Sequence, residues 1–388
     1  MSNVYPISVL RSKPRICIVG GGIVGSAAAF FLAAAGCPVT LLERDTIGSK
    51  ASGVNFGGVR RHARHPGELP LSIKSHRIWV KLEELIGHDC DLETPGHLKL
   101  ALGEEEMAPL EAWLPVGREH GLDARLLSAR ELAELYPWLA PGLAGASYCA
   151  GDGFANPRLV APGFARAARE AGALIREGCP VSAIEKGLCG WVVRPEEGGE
   201  VVADIVINAT GAWATTIRMD FSAPVSPAPA APQMFVTEPM PMRIMPVLGL
   251  VSGDIYLRQS VRGNIIFGGG RGKISADGWR SSPGETPFRE VPAIMRRLIP
   301  DLGQALIIRS WTGIEGHTPD GLPVIGACPD QDGLFQAWGF SGHGFQMGPG
   351  VGQCLSELVL TGKTDIDLSA FDPTRFAHAA ARTGGGIH

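Results

Sequence analysis

Arg15-Ile16-Cys17-Ile18-Val19-Gly20-Gly21-Gly22-Ile23-Val24-Gly25 is the stretch on which the reading of this chain turns. Its first half is a short apolar run with β-branched residues, the pattern of a strand buried on both faces. The GxGxxG of Gly20, Gly22 and Gly25 falls where such a strand would turn into a helix, the context a dinucleotide fingerprint requires. Gly20 allows the tight turn, Gly22 lets backbone N–H groups approach a pyrophosphate, and Gly25 lets the helix lie close on the strand. The helix N-terminus, with Ile23 and Val24 in its first turn, favours phosphate charge. Ser26 to Ala35 continues the helix, Gly36 ends it, and Val39 to Glu43 supplies a second strand. Glu43 lies about twenty residues past the glycines, where an acid bonds a ribose hydroxyl. NAD and FAD sites share these features, so the fingerprint specifies a dinucleotide without specifying which.

The rest of the composition suits a soluble globular protein. With 388 residues, 45% hydrophobic and 19% charged, the chain is an ordinary globular protein of two or three domains, not a disordered or fibrous one. Lys+Arg number 35 against 39 Asp+Glu, so no basic surplus points to nucleic acid or an anionic membrane. A small molecule is the expected partner. The cysteines at 17, 37, 90, 149, 179, 189, 328 and 354 form no CxxC pair and have no His at zinc spacing. No metal is expected, and the thiols read as reduced and cytoplasmic. The uncharged run from Ile16 to Leu42 imitates a membrane span or a signal peptide. Glycines at 20, 21, 22, 25 and 36 and Pro38 instead mark the turns of a strand, helix, strand unit.

Further along, the small-residue loop Gly48 to Gly58 precedes Arg60, Arg61, His62, Arg64 and His65. A helix is expected from about Pro70 to Ile86, then an insertion with helices near Glu104 to His120 and at Ser128 to Glu131, which has capping-box spacing. Asn156-Pro157 opens another helix that Gly172 closes. Val201 to Ala209 reads as one buried strand running into Ala209-Thr210-Gly211-Ala212-Trp213. The prolines of Ser222 to Pro232 suggest a connector without secondary structure. Gln233 to Thr237, Asp254 to Arg258 and Asn264 to Gly268 read as antiparallel strands of a separate sheet. A helix near Phe288 to Ile299, a strand near Ala305 to Thr312, a strand Leu334 to Trp338 and a helix to Leu360 follow. The residues after about Phe376 read as a frayed tail.

GGGIVG at 20 to 25, Glu43, ASGVNFGG at 51 to 58, ATGAW at 209 to 213, TPDGLPVIG at 318 to 326 and GFSGHGF at 339 to 345 together resemble the FAD-dependent amino-acid oxidoreductases. That family includes D-amino acid, glycine and sarcosine oxidases and bacterial amino-acid and opine dehydrogenases. The resemblance implies an α/β fold with a Rossmann-like FAD-binding domain and a second, α+β substrate domain built on an antiparallel sheet that roofs the flavin. The expected division is 1–86, 150–225 and 315–388 for FAD, and 87–149 and 226–314 for substrate. FAD would follow Gly20, Gly22, Ile23, Val24, Gly25, Glu43, Arg44, Ser52, Gly53, Asn55, Val181, Thr210, Gly211, Trp213 and Gly313. Gly342, His343, Gly344, Phe345 and Gln346 would meet the pyrimidine edge, where backbone N–H groups stabilise an anionic ring. Gly313 stands where sarcosine oxidases attach FAD through Cys, so noncovalent FAD is expected. Glu315 stands where some relatives grip the substrate carboxylate with Arg. Gln346 replaces a Lys, which suggests a dehydrogenase rather than an oxidase and admits a hetero-oligomer with electron-transfer subunits.

A buried carboxylate needs a cation. Tyr256 and Arg258, two apart on one expected strand, project from one sheet face and would clamp it. Arg61 resembles a carboxylate-binding Arg of sarcosine oxidases, while His62 and His65 read as surface residues. The expected activity is oxidation of the C–N bond of an amino acid or N-substituted amino acid by hydride transfer to FAD. Glycine or sarcosine, D-proline or D-hydroxyproline, and opines are the substrate candidates, and Glu315 facing the cleft would suit an opine's second, cationic end. The alternatives are a 2-hydroxy-acid dehydrogenase with His343 as base, and a flavin-binding subunit of a larger complex.

Overall fold

Ile16–Val19 lies inside a six-stranded sheet in the computed structural model, which describes residues 13–219, 225–241 and 244–376. The order is Val324–Ala327, Leu334–Trp338, Ile205–Asn208, Ile16–Val19, Val39–Leu42, Leu174–Arg176, parallel throughout except for the first pair. The helix Ile23–Ala34 is buried along most of its length, which its Ala-rich sequence permits. It packs against the helix Gly344–Thr361, whose Gly348 and Gly352 make the approach close. A Cβ at Gly348 would sit 2.6 Å from Ile23 Cγ2, and one at Gly352 2.6 Å from Ala27 Cβ. Gly350 does the same toward Ser75 of the helix Leu69–Trp79.

Local signals are realised where they depend on near neighbours. Ser128 and Glu131 form the reciprocal capping box, Asn156 caps the helix Pro157–Glu170, and Gly36 and Gly362 take left-handed φ of 80° and 75°. Three expectations are corrected. Val201 to Ala209 is two strands, because Asp204 pairs with Arg15 and sends Val201–Ala203 to a neighbouring hairpin and Ile205–Asn208 to the parallel sheet. The helix from Pro70 breaks into Leu69–Trp79 and Leu82–Ile86, with no Gly or Pro to mark the break. Within the supposed connector, Ala228–Ala230 pairs with Glu315–His317 in a two-stranded sheet, where Pro229 occupies an edge. Residues 222–224 of that connector and the tail after Phe376 lie outside the described residues.

The second sheet has eight strands, ordered Ile307–Thr312, Pro232–Pro239, Asn264–Arg271, Tyr256–Gln259, Val247–Leu250, His97–Ala101, Gly145–Cys149, Ala124–Ser128. Its pairings are antiparallel except one: Val247–Leu250 runs parallel to His97–Ala101. The insertion thus contributes three strands as well as helices. Leu98, Leu100, Leu248, Leu257 and Phe267 turn to one face, into a core with Val291, Met295 and Leu298 of the helix Glu285–Leu298. By alternation His97, Lys99, Gly249, Tyr256 and Gly268 take the other face, toward the parallel sheet. Among the described residues no helix is long and apolar enough to cross a membrane.

Candidate active site

A cavity of about 900 Å³ runs from the glycine turn of the parallel sheet to that open face of the second sheet. Its first end is a cradle that side chains would fill. Gly20 has φ 105°, and a Cβ there would lie 2.4 Å from the Ala209 carbonyl; a Cβ at Gly25 would lie 1.9 Å from the Gly20 carbonyl. Gly22, Ile23 and Val24 open the helix N-terminus onto the cavity, and the Ser52 hydroxyl accepts the Ile23 N–H at 2.9 Å. Glu43 accepts the Gly21 and Asp45 N–H groups at 2.6 and 2.8 Å. Burial pushes its pKa up, and those two bonds oppose the rise. Arg44, Asn55, Val181, Thr210, Gly211, Trp213 and Gly313 line the same end. Trp213 stacks on Trp279 at 5.0 Å and 3°, Arg44 lies 3.6 Å from the centroid of the Trp279 ring, and Trp213 Nε1 donates to the Gly278 carbonyl at 3.1 Å. This stack joins the dinucleotide turns to a loop of the second half. A cradle, a helix N-terminus and a carboxylate at a strand end suit the pyrophosphate and ribose of FAD.

At the other end the cavity meets the turn Gly342, His343, Gly344 and Phe345, which leads into the helix Gly344–Thr361. His343 Nδ1 donates to Glu68 Oε1 at 2.8 Å, and Glu68 is fully buried. Burial alone would raise the Glu68 carboxyl, but the His343 hydrogen bond and the Arg64 and Arg60 charges hold it below its ordinary value. Burial, with Arg64 nearby, pushes His343 down to about 4 despite Glu68. The imidazole is therefore neutral at working pH, with its proton on Nδ1 and a lone pair on Nε2.

Near His343 and Glu68 stands a surplus of positive charge. Arg60, Arg64 and Lys99 line the cavity, and Arg64 Nη1 is buried with no partner among the described residues. Arg60 donates to the His62 carbonyl, Arg64 Nε to the Arg60 carbonyl at 3.0 Å, and Trp113 Nε1 to the Arg64 carbonyl at 2.9 Å. Ala63 takes φ 54°, a conformation rarely held by a residue with a Cβ, and it bends the loop that brings Arg60 and Arg64 inward. Burial, then Arg60 and Arg64, lowers Lys99 to about 8. Burial and Arg60 bring Arg64 down to about 9.

Tyr256 lies between Gly249 and Gly268 on neighbouring strands, edge-on to Phe56 at 4.9 Å between centroids. Burial and Glu315 push its pKa up, so it remains a donor. Glu315 and His317 also face the cavity, hydrogen-bonded at 2.8 Å.

Other expected site residues lie off the cavity wall. Arg61 is held by buried Asp152, Nε to Oδ1 at 2.8 Å, with Nη2 on the Ala150 carbonyl at 3.0 Å. Arg258 is buried, donates Nε to the Phe56 carbonyl at 3.0 Å and lies over Phe154, 4.3 Å from its centroid. Neither Arg is available as a clamp. Gly25 and Gly53 shape the backbone from behind, each with a carbonyl where a Cβ would go. Gln346 is turned into the helix packing, accepting from Ser72 Oγ at 2.7 Å, so its identity says nothing about the flavin's surroundings. His62 is buried rather than on the surface; His65 is exposed. Sequence reasoning missed Arg60, Arg64, Lys99, His97, His317, Glu68 and Trp279. Period-two spacing of Arg60, His62 and Arg64, and a lone Lys in the apolar strand HLKLA, were the available signals; Glu68 had none.

The family model described as FAD dependent oxidoreductase matches residues 15–358. Glycine oxidase of Geobacillus kaustophilus is 32% identical over 378 residues, spanning 93% of this chain and 96% of that protein. Mitochondrial sarcosine dehydrogenase of Homo sapiens is 27% identical across 96% of this chain, which spans 42% of that longer protein. The crystal structure of L-proline dehydrogenase from P. horikoshii superposes with a TM-score of 0.87 at 30% identity, covering 95% of this chain and 99% of that one.

Proposed function

The chain belongs to the FAD-dependent oxidoreductase family, and from that membership we infer that it binds FAD and oxidises the C–N bond of an amino acid or N-substituted amino acid. The observation that carries the substrate reading is the cationic pole of Arg60, Arg64 and Lys99 in the same cavity as the Gly342–Phe345 turn. Buried Glu68 and Asp152 act on Arg60 and Arg64, yet Lys99 and the unbonded Arg64 Nη1 leave positive charge facing the cavity, and an amino acid brings a carboxylate to it. Gly313 supports noncovalent FAD, because it carries no side chain to form a bond there and Val54 crowds the position, 2.1 Å from where a Cβ would lie.

FAD, when bound, is the hydride acceptor. The protein's work is placement and charge. Arg60, Arg64 and Lys99 hold the carboxylate, and their field disfavours the ammonium form, so the amine reaches the lone-pair state that C–N oxidation requires. His343 Nε2, left unprotonated because Nδ1 serves Glu68, accepts a hydrogen bond from the amine. Tyr256 donates to the substrate, and the missing side chains of Gly249 and Gly268 leave room beside it. Glu315 gives the cavity a second, negative pole suited to a cationic substrate end, as in an opine.

The test is anaerobic flavin bleaching with glycine, sarcosine, D- and L-proline, opines and 2-hydroxy acids. Amines should bleach the flavin, and Glu315→Gln should slow cationic substrates about tenfold or more while sparing proline. The His343–Glu68 pair favours 2-hydroxy acids as a second reading, since an O–H requires a base; bleaching by hydroxy acids alone would establish it. Peroxide formed per substrate oxidised separates an oxidase from a dehydrogenase that passes electrons to partner subunits.

A pH dependence follows from Lys99. A lysine lowered to about 8 is charged below that value, so affinity for acetate, which has no amine to titrate, should fall as pH rises through about 8. Lys99→Met should remove that limb and weaken acetate roughly ten- to a hundredfold at neutral pH, read from the flavin absorbance change.

A further inference from the structure

His97 borders the cationic pole, two residues before Lys99 on the same strand face, and it begins a buried chain of hydrogen bonds that leads away from the cavity. Its Nδ1 lies 2.9 Å from His62 Nδ1, and His62 Nε2 lies 2.9 Å from Ser147 Oγ. All three side chains are buried. His62 rests against Trp113 at 5.2 Å between centroids. A Cβ on Gly249 would stand 3.7 Å from His97 Nε2, which places that nitrogen on the cavity side of the sheet. Arg60 and Lys99 act on both rings, Arg64 and the His62 ring act also on His97, and a hydrogen bond with the His97 backbone opposes the fall at His62. Burial, reinforced by those cations, brings His62 down to about 3 and His97 well below its ordinary value, so both imidazoles are neutral.

A neutral chain of this kind runs in one of two directions. In one, Ser147 donates to His62 Nε2, His62 Nδ1–H donates to His97 Nδ1, and His97 Nε2–H faces the cavity. In the other, every hydrogen is reversed and His97 presents a lone pair. We propose that an anion held by Arg60, Arg64 and Lys99 fixes the first direction, making His97 Nε2–H a neutral donor to the substrate carboxylate, with His62 and Ser147 as the residues that keep the hydrogen there. The proposal rests on the carboxylate reading of that pole. An anion orients each N–H and O–H of the chain toward itself, whereas a further cation at His97 would repel the three already present. The chain supplies direction without charge, and neither ring takes up a proton when the anion binds.

The experiment titrates acetate into oxidised holoenzyme, reading flavin absorbance, and records histidine ¹⁵N NMR spectra with and without acetate. His62→Phe, which keeps a ring against Trp113, should weaken acetate about tenfold at all pH values near neutrality, and Ser147→Ala about threefold. The broken buried bonds should lower the melting temperature somewhat, while FAD content should match the wild type. In the wild-type acetate complex, His97 should carry its hydrogen on Nε2. Unchanged acetate affinity in both variants overturns the proposal, as does a His97 hydrogen on Nδ1 in that complex, a result that needs no variant to fold. Absence of any acetate response in the wild type overturns the carboxylate pole itself and the proposal with it.

Discussion

Gly25→Ala should purify without FAD. The added Cβ would lie 1.9 Å from the Gly20 carbonyl oxygen, a backbone atom that no rotamer change can move. Nor can the helix Ile23–Ala34 retreat, because Gly348 and Gly352 of the helix Gly344–Thr361 already hold it at closest approach. Overpacking of this kind costs about 1–3 kcal/mol or more, and here the displaced atoms are the phosphate cradle itself. The ratio of flavin to protein absorbance measures the effect, with thermal melting to separate lost binding from lost folding. Wild-type protein should be yellow and should release its FAD on denaturation. Gly22, whose added Cβ would meet only the Ser52 hydroxyl at 3.0 Å, is the milder position. A Gly25→Ala protein with full flavin would mean that the cofactor does not use this turn.

The second large effect is expected at Arg64. Its Nη1 is buried and unpartnered among the described residues, so a substrate carboxylate is the group that would complete it. Arg64→Gln should weaken substrate by about 2–5 kcal/mol, roughly thirtyfold to several thousandfold, read as the substrate dependence of anaerobic flavin reduction. Glu68 keeps its bond to His343 in that variant, so the carboxylate beneath is not left alone. Arg61→Gln provides the contrast: it strips buried Asp152 of its cation and should lower the melting temperature while leaving substrate affinity intact. Equal affinity losses in both variants would mean that the loop carrying them, rather than the charge of Arg64, sets binding.

The difference between those two arginines shows what sequence can and cannot carry. The fingerprint was legible because its strand, turn and helix follow one another within a dozen residues and Gly25 answers to the Gly20 carbonyl, although Gly20 itself closes on distant Ala209; Ser128 and Glu131 are likewise near neighbours. Arg61 and Arg64 are chemically identical and three residues apart, and their assignment depends on Asp152, which reaches Arg61 from the far side of the insertion. Arg258 was correctly placed on a strand beside Tyr256, yet Phe56 and Phe154 from the other half draw it away from the cavity. Lys99 was hidden because its strand lies in a segment whose helices were easier to read than its strands. Glu68 becomes meaningful only when His343 arrives from the opposite end of the chain.

The order of the parallel sheet has a consequence for synthesis. Leu334–Trp338 pairs with Ile205–Asn208, which pairs with Ile16–Val19, and the helix Gly344–Thr361 covers Ile23–Ala34. A chain that leaves the ribosome from its N-terminus exposes the fingerprint first and the strand and helix that enclose it nearly last. Until then the Ala-rich helix has an apolar side with nothing to lie against, and the closing contacts span most of the chain, the slow kind to form. The cavity that the fingerprint opens onto is therefore closed late, although the fingerprint itself is made first.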